Sequence, residues 1–529
     1  MRTDVVIVGA GAAGLLAAVA ARRLGHQVLV IERGATLGGA TSASDGHLWL
    51  PGNDLMGRNG IPSDTAEEAL AYLDALARSD SAVMASRRAA FTRTAAVVAR
   101  WLRTSKIGLE VVRSLPDCSP DVEGAKLQGR TLRTKPTAAK LDPEWAERLR
   151  APAAAAPRSG LLATLRRPFR GGGELNSGGA LVSELLRRAL GSDVEIWLES
   201  PLTSLLLDGG AVRGVTVERE GAAVEVEAAR GVLLACGGFE TDQELRERYL
   251  PQPTSAAWTT GGGGEGAALR AGLQVEAAVA ELDQAWWTPV MLADGVAHPL
   301  DVARVAPHGL IVDRAGDRYV NEAEPGGSAG RRMYEHNWGD RSVPSFLIVD
   351  NRHRKQYPLG PWAPGASPKA AIEAGDLFRA PTLDELAESL GVDRAGLLGS
   401  VVAFNQLAKR GKDTDFGRGE SAWDRFFGDQ VLRRNPCLGG VDRQPYWALR
   451  VYPGDAGTKG GLVIDQRSRV LRGDSTPVPG LWACGGSAAS LFGDTEPGDG
   501  AALAAALVEA YRGVVDLSDQ LERIDEALS

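Results

Sequence analysis

The sequence predicts an α/β fold: a doubly wound parallel sheet that carries a small antiparallel meander and is interrupted by an inserted α+β unit. Three observations predict it. Residues 4–33 read as strand, glycine turn, helix and second strand. Residues 194–236 read as short apolar strands separated by turn signals. Residues 481–511 return to the opening pattern, with a strand that breaks on glycines and leads into an alanine-rich helix.

The opening unit is the most specific. Residues 4–8 (Asp-Val-Val-Ile-Val) form a short apolar strand that runs into Gly9-Ala10-Gly11-Ala12-Ala13-Gly14. Gly9 makes the tight turn, Gly11 lets backbone approach a pyrophosphate, and Gly14 lets helix pack on strand. The helix over 15–24, begun by Ala12 and Ala13, offers its N-terminal N–H groups and positive dipole end to a phosphate. A strand over 27–31 ends on Glu32, which is placed to accept from ribose hydroxyls. This register predicts a dinucleotide site. Its continuation favours FAD over NAD: Arg33 is followed by Gly38, Gly39, Ala40 and Thr41, small residues that let the chain run along the pyrophosphate and ribityl chain of a longer cofactor. Ser44 and Gly46 extend the candidate cofactor-binding set.

At 529 residues the chain is long enough for several domains and a large core. A net charge of −8 without a basic block argues against nucleic acid as a partner. No apolar run reaches the ~18 residues a spanning helix needs, and no signal peptide precedes the first strand, so a cytoplasmic protein is expected. Cys118, Cys236, Cys437 and Cys484 are scattered without C-x-x-C spacing, which predicts neither a disulfide framework nor a zinc site.

Apolar residues at helical spacing predict helices over 65–78 and 86–104. The stretch 105–170, with its Pro116–Pro120 segment and an Ala/Pro run at 151–157, reads as an irregular surface connection. A helix is expected over 181–189, then strands over 194–197, 202–207, 212–219 and 223–228. A separate buried strand over 231–236 breaks on Gly237 and Gly238, again allowing close approach to the cofactor. A second G-x-G-x-x-G at 261–266 lacks a preceding apolar strand and reads as a glycine-rich start of a helix beside the cofactor. The domain boundaries expected are 1–262 for the first part of the FAD-binding domain, including a helical region over 60–172, then 263–445 for the inserted substrate domain and 446–529 for the return segment. The return segment should hold a hairpin of 460–465 with 470–471 and a strand ending at Gly485. From Gly500 a helix over 501–511 begins, and its N-terminus at Ala501 can face the flavin pyrimidine carbonyl.

Several of these segments, taken together, resemble one family. Residues 6–14, 38–51 and 233–239, the Trp286–Trp287 pair, residues 316–322 (Gly-Asp-Arg-Tyr-Val-Asn-Glu) and residues 454–500 are similar to the 3-ketosteroid Δ1-dehydrogenases, FAD flavoproteins of the broader fumarate reductase and succinate dehydrogenase group. The resemblance implies a Rossmann-type FAD-binding domain and removal of a trans pair of hydrogens beside a ketone. In that family a tyrosine takes the proton, flavin N5 takes the hydride, and a further tyrosine with a backbone N–H polarises the ketone. The three segments that should supply tyrosines read here Pro116-Asp117-Cys118-Ser119, Asn321-Glu322-Ala323-Glu324-Pro325-Gly326 and Glu496-Pro497-Gly498-Asp499-Gly500. The donor glycine, Gly500, is retained and the tyrosines are not.

Glu496, Gly500 and Cys118 are therefore the candidate catalytic residues. Glu496 stands where the carbonyl-polarising tyrosine would be, and burial can bring a carboxyl toward neutrality for acid or base work; its plainer reading is a carboxylate paired with the following helix N-terminus. Cys118 as base or nucleophile stands against a small inert hydrophobe. Arg331 and Arg332 suit a substrate carboxylate or an exposed helix face. The expected partner is a cyclic ketone or enone, with an electron acceptor the sequence does not identify. Three functions stay open: oxidation or desaturation next to a carbonyl in a cyclic substrate, reduction of an activated C=C bond, and an FAD-binding protein without catalysis.

Overall fold

A computed structural model describes residues 1–78, 81–136, 141–150 and 177–521. The Ala/Pro run at 151–157 lies outside the described residues. The chain opens with β1 (Arg2–Val8), α1 (Ala12–Arg23), β2 (Val28–Ile31) and the short α2 (Gly39–Ala43). Next come β3 (His47–Trp49), α3 (Ala66–Leu76), α4 (Ala82–Thr104), β4 (Leu109–Val111) and β5 (Thr131–Thr134). After α5 (Ser177–Leu190) follow β6 (Glu195–Trp197), β7 (Leu202–Asp208), β8 (Ala211–Arg219) and β9 (Ala222–Leu234).

The second unit begins with α6 (Ala267–Leu273), β10 (Val279–Ala280), β11 (Ala285–Ala293), β12 (Val296–Pro299), β13 (Gly309–Val312), α7 (Gly326–Glu335) and β14 (Ser345–Val349). It continues through β15 (Phe378–Ala380), α8 (Ala422–Phe427) and β16 (Tyr446–Thr458). The return passes through β17 (Gly461–Leu462), β18 (Arg469–Leu471), β19 (Pro477–Ala483) and α9 (Ala501–Leu517).

The first sheet runs β18-β19-β9-β1-β2-β6, with β8 joined to β9 and β7 to β8. β1 pairs in parallel with β2 on one side and β9 on the other, Val6 facing Leu29 and Val232. Both faces are buried, as a central parallel strand requires. Val5 and Ile7 enter the cluster with α1, α5 and α9, while Val6 and Val8 enter the one formed with the meander and β19. The second sheet runs β12-β11-β16-β14-β13, with β15 also on β16. Its two faces are likewise covered, by Met291, Leu347 and Leu449 on one side and Leu310, Ile348 and Ala448 on the other. Residue 446, expected to open the return segment, begins the middle strand of this second sheet.

Three expectations are corrected. The separate strands expected over 223–228 and 231–236 are one strand, β9, whose first half pairs with β8 and whose second half joins the parallel sheet. Gly231, at φ +141, carries the chain through the change; a Cβ there would lie 2.5 Å from the Trp482 side chain. The stretch from 105 to 136 is not wholly irregular, since β4 and β5 form a three-stranded sheet with β3 in the order β3-β5-β4. Three- and four-residue strands give periodicity too little length to register. The hairpin of 460–465 with 470–471 is reduced to one bridge, Ile464 to Val470, because β17 pairs with β10 and β18 with β19.

Candidate active site

At Gly9, φ +108, a Cβ would lie 2.4 Å from the Ala235 carbonyl oxygen, and at Gly14 it would lie 1.9 Å from the Gly9 carbonyl oxygen. Those two glycines are demanded by packing. Gly11 differs: a Cβ there meets nothing within 4 Å, and at Gly39 it meets only the Gly11 Cα, at 4.0 Å. Gly237 is similarly open, its first neighbour being the Gly264 Cα at 3.8 Å. Gly39 and Gly237 also have positive φ, +50 and +83, which favours glycine by itself, whereas at Gly11, with φ −75, neither backbone nor packing calls for it. Gly11 is the N-cap of α1, which no side chain caps, so the first N–H groups of that helix are available to an anion.

Glu32 is fixed by two backbone donors. Its Oε2 accepts from the Ala10 N–H at 2.9 Å and its Oε1 from the Gly34 N–H at 3.0 Å, which fixes the carboxylate at the end of β2. Arg33 reaches the Gly263 carbonyl and Glu265. Ala40 and Thr41 lie on α2, against which the 261–266 loop packs so closely that a Cβ at Gly262 would sit 2.0 Å from the Ala40 N. Ser44 Oγ donates to the Thr41 carbonyl at 2.8 Å and accepts from the Gly46 N–H at 3.1 Å, closing the turn into β3. Gly238 and Gly485 serve packing: a Cβ at Gly238 would lie 2.0 Å from Thr458 Oγ1, and one at Gly485 2.8 Å from the Ala506 Cβ. The uncapped start of α1, open at Gly11, and the fixed carboxylate of Glu32 fit the FAD that the sequence predicts. No group of His, Cys, Asp and Glu suited to a metal ion occurs among the described residues.

The catalytic candidates gather on the loop before α9. Gly500 has φ +89, and a Cβ there would lie 2.3 Å from the His47 carbonyl carbon, so the start of α9 abuts β3. The Trp49 N–H donates to the Gly500 carbonyl at 3.3 Å, and His47 Nδ1 lies 2.6 Å from Asp499 Oδ2. Ala501, the first helical residue, is buried, and α9 has no side-chain cap. Glu496 does not cap α9. Its Oε2 accepts from the Gly327 N–H at 3.1 Å, at the start of α7. The carboxylate therefore meets the backbone next to Gly326, the residue that stands in the Asn321–Gly326 segment where the resemblance expects a tyrosine.

Glu496 is half-buried, and its carboxyl lies among protein groups that shift it. Burial pushes its carboxyl up to about 7; Lys459 opposes that rise, Asp499 adds to it, the Gly327 N–H opposes it and Asp301 adds to it. Lys459, 3% exposed, is brought down to about 8, chiefly by burial. Cys118 is 5% exposed, and burial, reinforced by Glu496, pushes its thiol well above the ordinary range. A thiol without thiolate character is neither nucleophile nor base. Cys118 instead forms an apolar wall with Leu115 and Trp423, to which Val112 and Phe426 add.

A buried network that the sequence did not single out holds this loop. Arg130 grips Asp64 through Nε at 2.9 Å and NH2 at 2.8 Å, and Asp117 through NH1 at 2.7 Å. Asp117 also accepts from Trp49 Nε1 at 2.7 Å. Tyr72 donates its hydroxyl to the Pro497 carbonyl at 2.8 Å, and the Cys118 N–H reaches the same carbonyl at 3.0 Å. Lys459 was likewise missed, though a lysine inside Gly457-Thr458-Lys459-Gly460-Gly461 was the available signal. Arg331 pairs with Asp494 at 2.5 Å and Arg332 with Glu324 at 3.0 Å. Arg354 is buried and donates to the Ala363 and Ala366 carbonyls.

Residues 4–503 match the FAD binding domain family. The chain is 32% identical to a 3-oxosteroid 1-dehydrogenase of Mycolicibacterium smegmatis, covering 97% of each protein. It is 34% identical to a 4-oxocyclohex-2-ene-1-carboxylate 5-dehydrogenase of Sinomonas cyclohexanicum, over 97% of this chain and 93% of that protein. The crystal structure of 3-ketosteroid Δ1-dehydrogenase from Sterolibacterium denitrificans in complex with 1,4-androstadiene-3,17-dione superposes with a TM-score of 0.92 at 33% identity, covering 98% of this chain and 99% of that one.

Proposed function

The chain belongs to the FAD binding domain family, among relatives of the 3-oxosteroid 1-dehydrogenases, and from that premise we propose that it desaturates a cyclic ketone next to its carbonyl, with Glu496 as the proton acceptor. The observation that carries this reading is the carboxyl of Glu496, held by the Gly327 N–H, brought to about 7 and placed on the loop that ends in Gly500. Bound FAD supplies the hydride acceptor.

The chain's own residues do the rest. The Gly500 N–H and the positive end of α9 receive the ketone oxygen and stabilise the charge that grows on it. Stabilising that charge acidifies the adjacent C–H, and Glu496 takes its proton. A base with a value near the working pH combines a usable ionised fraction with driving force for transfer. Leu115, Cys118 and Trp423 keep water away from the reacting carbon. The substrate loses one proton and one hydride, and a C–C single bond becomes C=C. The relatives' names include both 3-oxosteroid and oxocyclohexane-carboxylate dehydrogenases, so the substrate class proposed is a ring ketone with a saturated CH–CH flank.

The test is anaerobic mixing of the holoenzyme with 4-oxocyclohexanecarboxylate and with saturated 3-oxosteroids while flavin absorbance is followed. Bleaching by a ring ketone, slowed by roughly 10²–10⁴ in Glu496→Gln, is the expected result. Equal rates in the two proteins would remove Glu496 from the reaction. Reoxidation of chemically reduced flavin by an enone, without bleaching by any ketone, would reverse the direction of the proposal.

A further inference from the structure

A second buried charge, to which the proposed reaction gives no part, is bonded to the loop that carries Glu496. Lys459 follows the end of β16 and donates from Nζ to the carbonyls of Gly493, at 3.1 Å, and Thr495, at 2.7 Å. Its ammonium also lies 4.2 Å from the centre of the Trp286 ring. Trp286 in turn meets Phe492 edge to face at 6.1 Å. The ammonium thus binds the two residues that lead into Glu496 and is roofed by an aromatic face, a geometry that holds a cation without a contacting carboxylate. The backbone N–H of Lys459 donates to the Gln284 carbonyl at 2.9 Å, which anchors the other end of the same residue.

We propose that Lys459 is the positioning residue of the Glu496 site: clamped between the Gly493 and Thr495 carbonyls and the Trp286 ring, it fixes the loop that carries the carboxyl and supplies the positive charge that keeps that carboxyl able to ionise. The inference rests on the reading of Glu496 as proton acceptor and deepens it. Around Lys459 stand Glu496, Asp494, Arg331 and Glu281. Around Glu496 stand Asp499 and Asp301, both of like sign, and the Cys118 thiol. Lys459 opposes them. Burial and like charge push the carboxyl toward its neutral form, and a neutral carboxyl takes no proton from substrate. Lys459 is the cation that opposes this rise at Glu496, and a nearby opposite charge moves a carboxyl by about 1–3 pH units. A lysine tied to carbonyl oxygens keeps that charge in place while the carboxyl stays free for substrate, which an ion pair in contact would prevent.

Infrared difference titration of the holoenzyme from pH 5 to pH 9, with Glu496→Gln as the subtraction, isolates the carboxylic acid band without any substrate. The wild-type band should lose half its intensity near pH 7. Lys459→Gln retains donors for both carbonyls but no charge, and Lys459→Met removes both. Each should move the midpoint up by about one unit or more, while Lys459→Arg leaves it close to wild type. If Lys459→Met fails to fold, the Gln and Arg variants decide. An unmoved midpoint in Lys459→Gln overturns the proposal, as does an Arg variant displaced as far as the Gln variant, which would assign shape rather than charge. A wild-type band that does not titrate in this range, with Lys459 intact, instead rejects the reading of Glu496 and the inference with it.

Discussion

Replacing Glu496 by Gln should make the enzyme slower and more stable, and the stability gain should depend on pH. The ordinary value of the carboxyl is 4.5, and in the folded protein it stands at about 7. A raised acid favours folding fully below its unfolded value and loses that contribution as pH rises through the folded one. The wild type therefore carries a penalty that grows between about pH 4.5 and pH 7 and is constant above. At about 1.36 kcal/mol per unit the ceiling is about 3 kcal/mol. Lys459 lowers the net figure: without the carboxylate that raises it, its own value falls further below about 8. Gln has the same shape and can still accept from the Gly327 N–H, so the comparison isolates the charge. The assay is urea unfolding of both holoenzymes at pH 5 and pH 8, followed by tryptophan fluorescence. The Gln variant should gain on the wild type by about 1–3 kcal/mol more at pH 8 than at pH 5. A gain equal at the two values would refute the burial argument, even if flavin reduction were slowed.

Three other perturbations separate the parts of the site. Gly11→Ala adds a methyl where no protein atom lies within 4 Å, at a backbone φ of −75 that alanine adopts freely; it should fold with an unchanged apoprotein melting temperature yet lose FAD affinity at least tenfold by equilibrium dialysis, and unchanged affinity would move the pyrophosphate elsewhere. Arg130→Ala leaves Asp117 buried without its cation and Asp64 with Lys126 alone, at 4.0 Å, a change that costs about 3–5 kcal/mol in chemical denaturation; a loss under about 1 kcal/mol would mean the network does not hold the loop. Cys118→Ala should retain flavin reduction within a few-fold of wild type, and in the folded wild type Cys118 should resist alkylation at pH 8 until denaturant is added; rapid labelling would contradict a thiol held well above its ordinary range.

What could be read in the sequence was local. The turn from β1 into α1 writes each of its constraints into a few consecutive residues, so Gly9, Gly14 and Glu32 can be singled out from spacing; in the fold a Cβ at Gly9 or Gly14 would strike backbone, and Glu32 accepts from the Ala10 N–H. The Glu496 site is written across the chain. Its carboxyl meets Gly327, 169 positions away, and its loop is tied to Tyr72, 425 positions from Pro497. No periodicity or motif joins such residues, which is why Lys459, Arg130 and Tyr72 escaped notice. β4 and β5 escaped for a different reason: they are short, and Arg133 opposite Glu110 gives them a polar face. β9 is a single strand because Gly231, at φ +141, lets the chain bend and continue from the meander into the parallel sheet.

The absent tyrosines follow a physical logic once the pocket's effect on acids is compared. Burial raises three acids of different kinds in this region. It drives the Tyr72 phenol far above its ordinary 10.0 and the Cys118 thiol well above 9.0, and it brings Glu496 from 4.5 to about 7. The same desolvation therefore silences a phenol or a thiol and activates a carboxyl, because only the carboxyl starts low enough to finish near neutrality. A tyrosine base needs an environment that stabilises phenolate by several units, and the like charges of Asp499 and Asp301 would do the opposite. A carboxyl needs burial and one restraining cation, which the Glu496 loop has in Lys459. Glycine at 327 then serves a purpose: a Cβ there would lie 2.6 Å from Glu496 Oε2, so the carboxyl reaches the Gly327 N–H because nothing larger than glycine stands in its way.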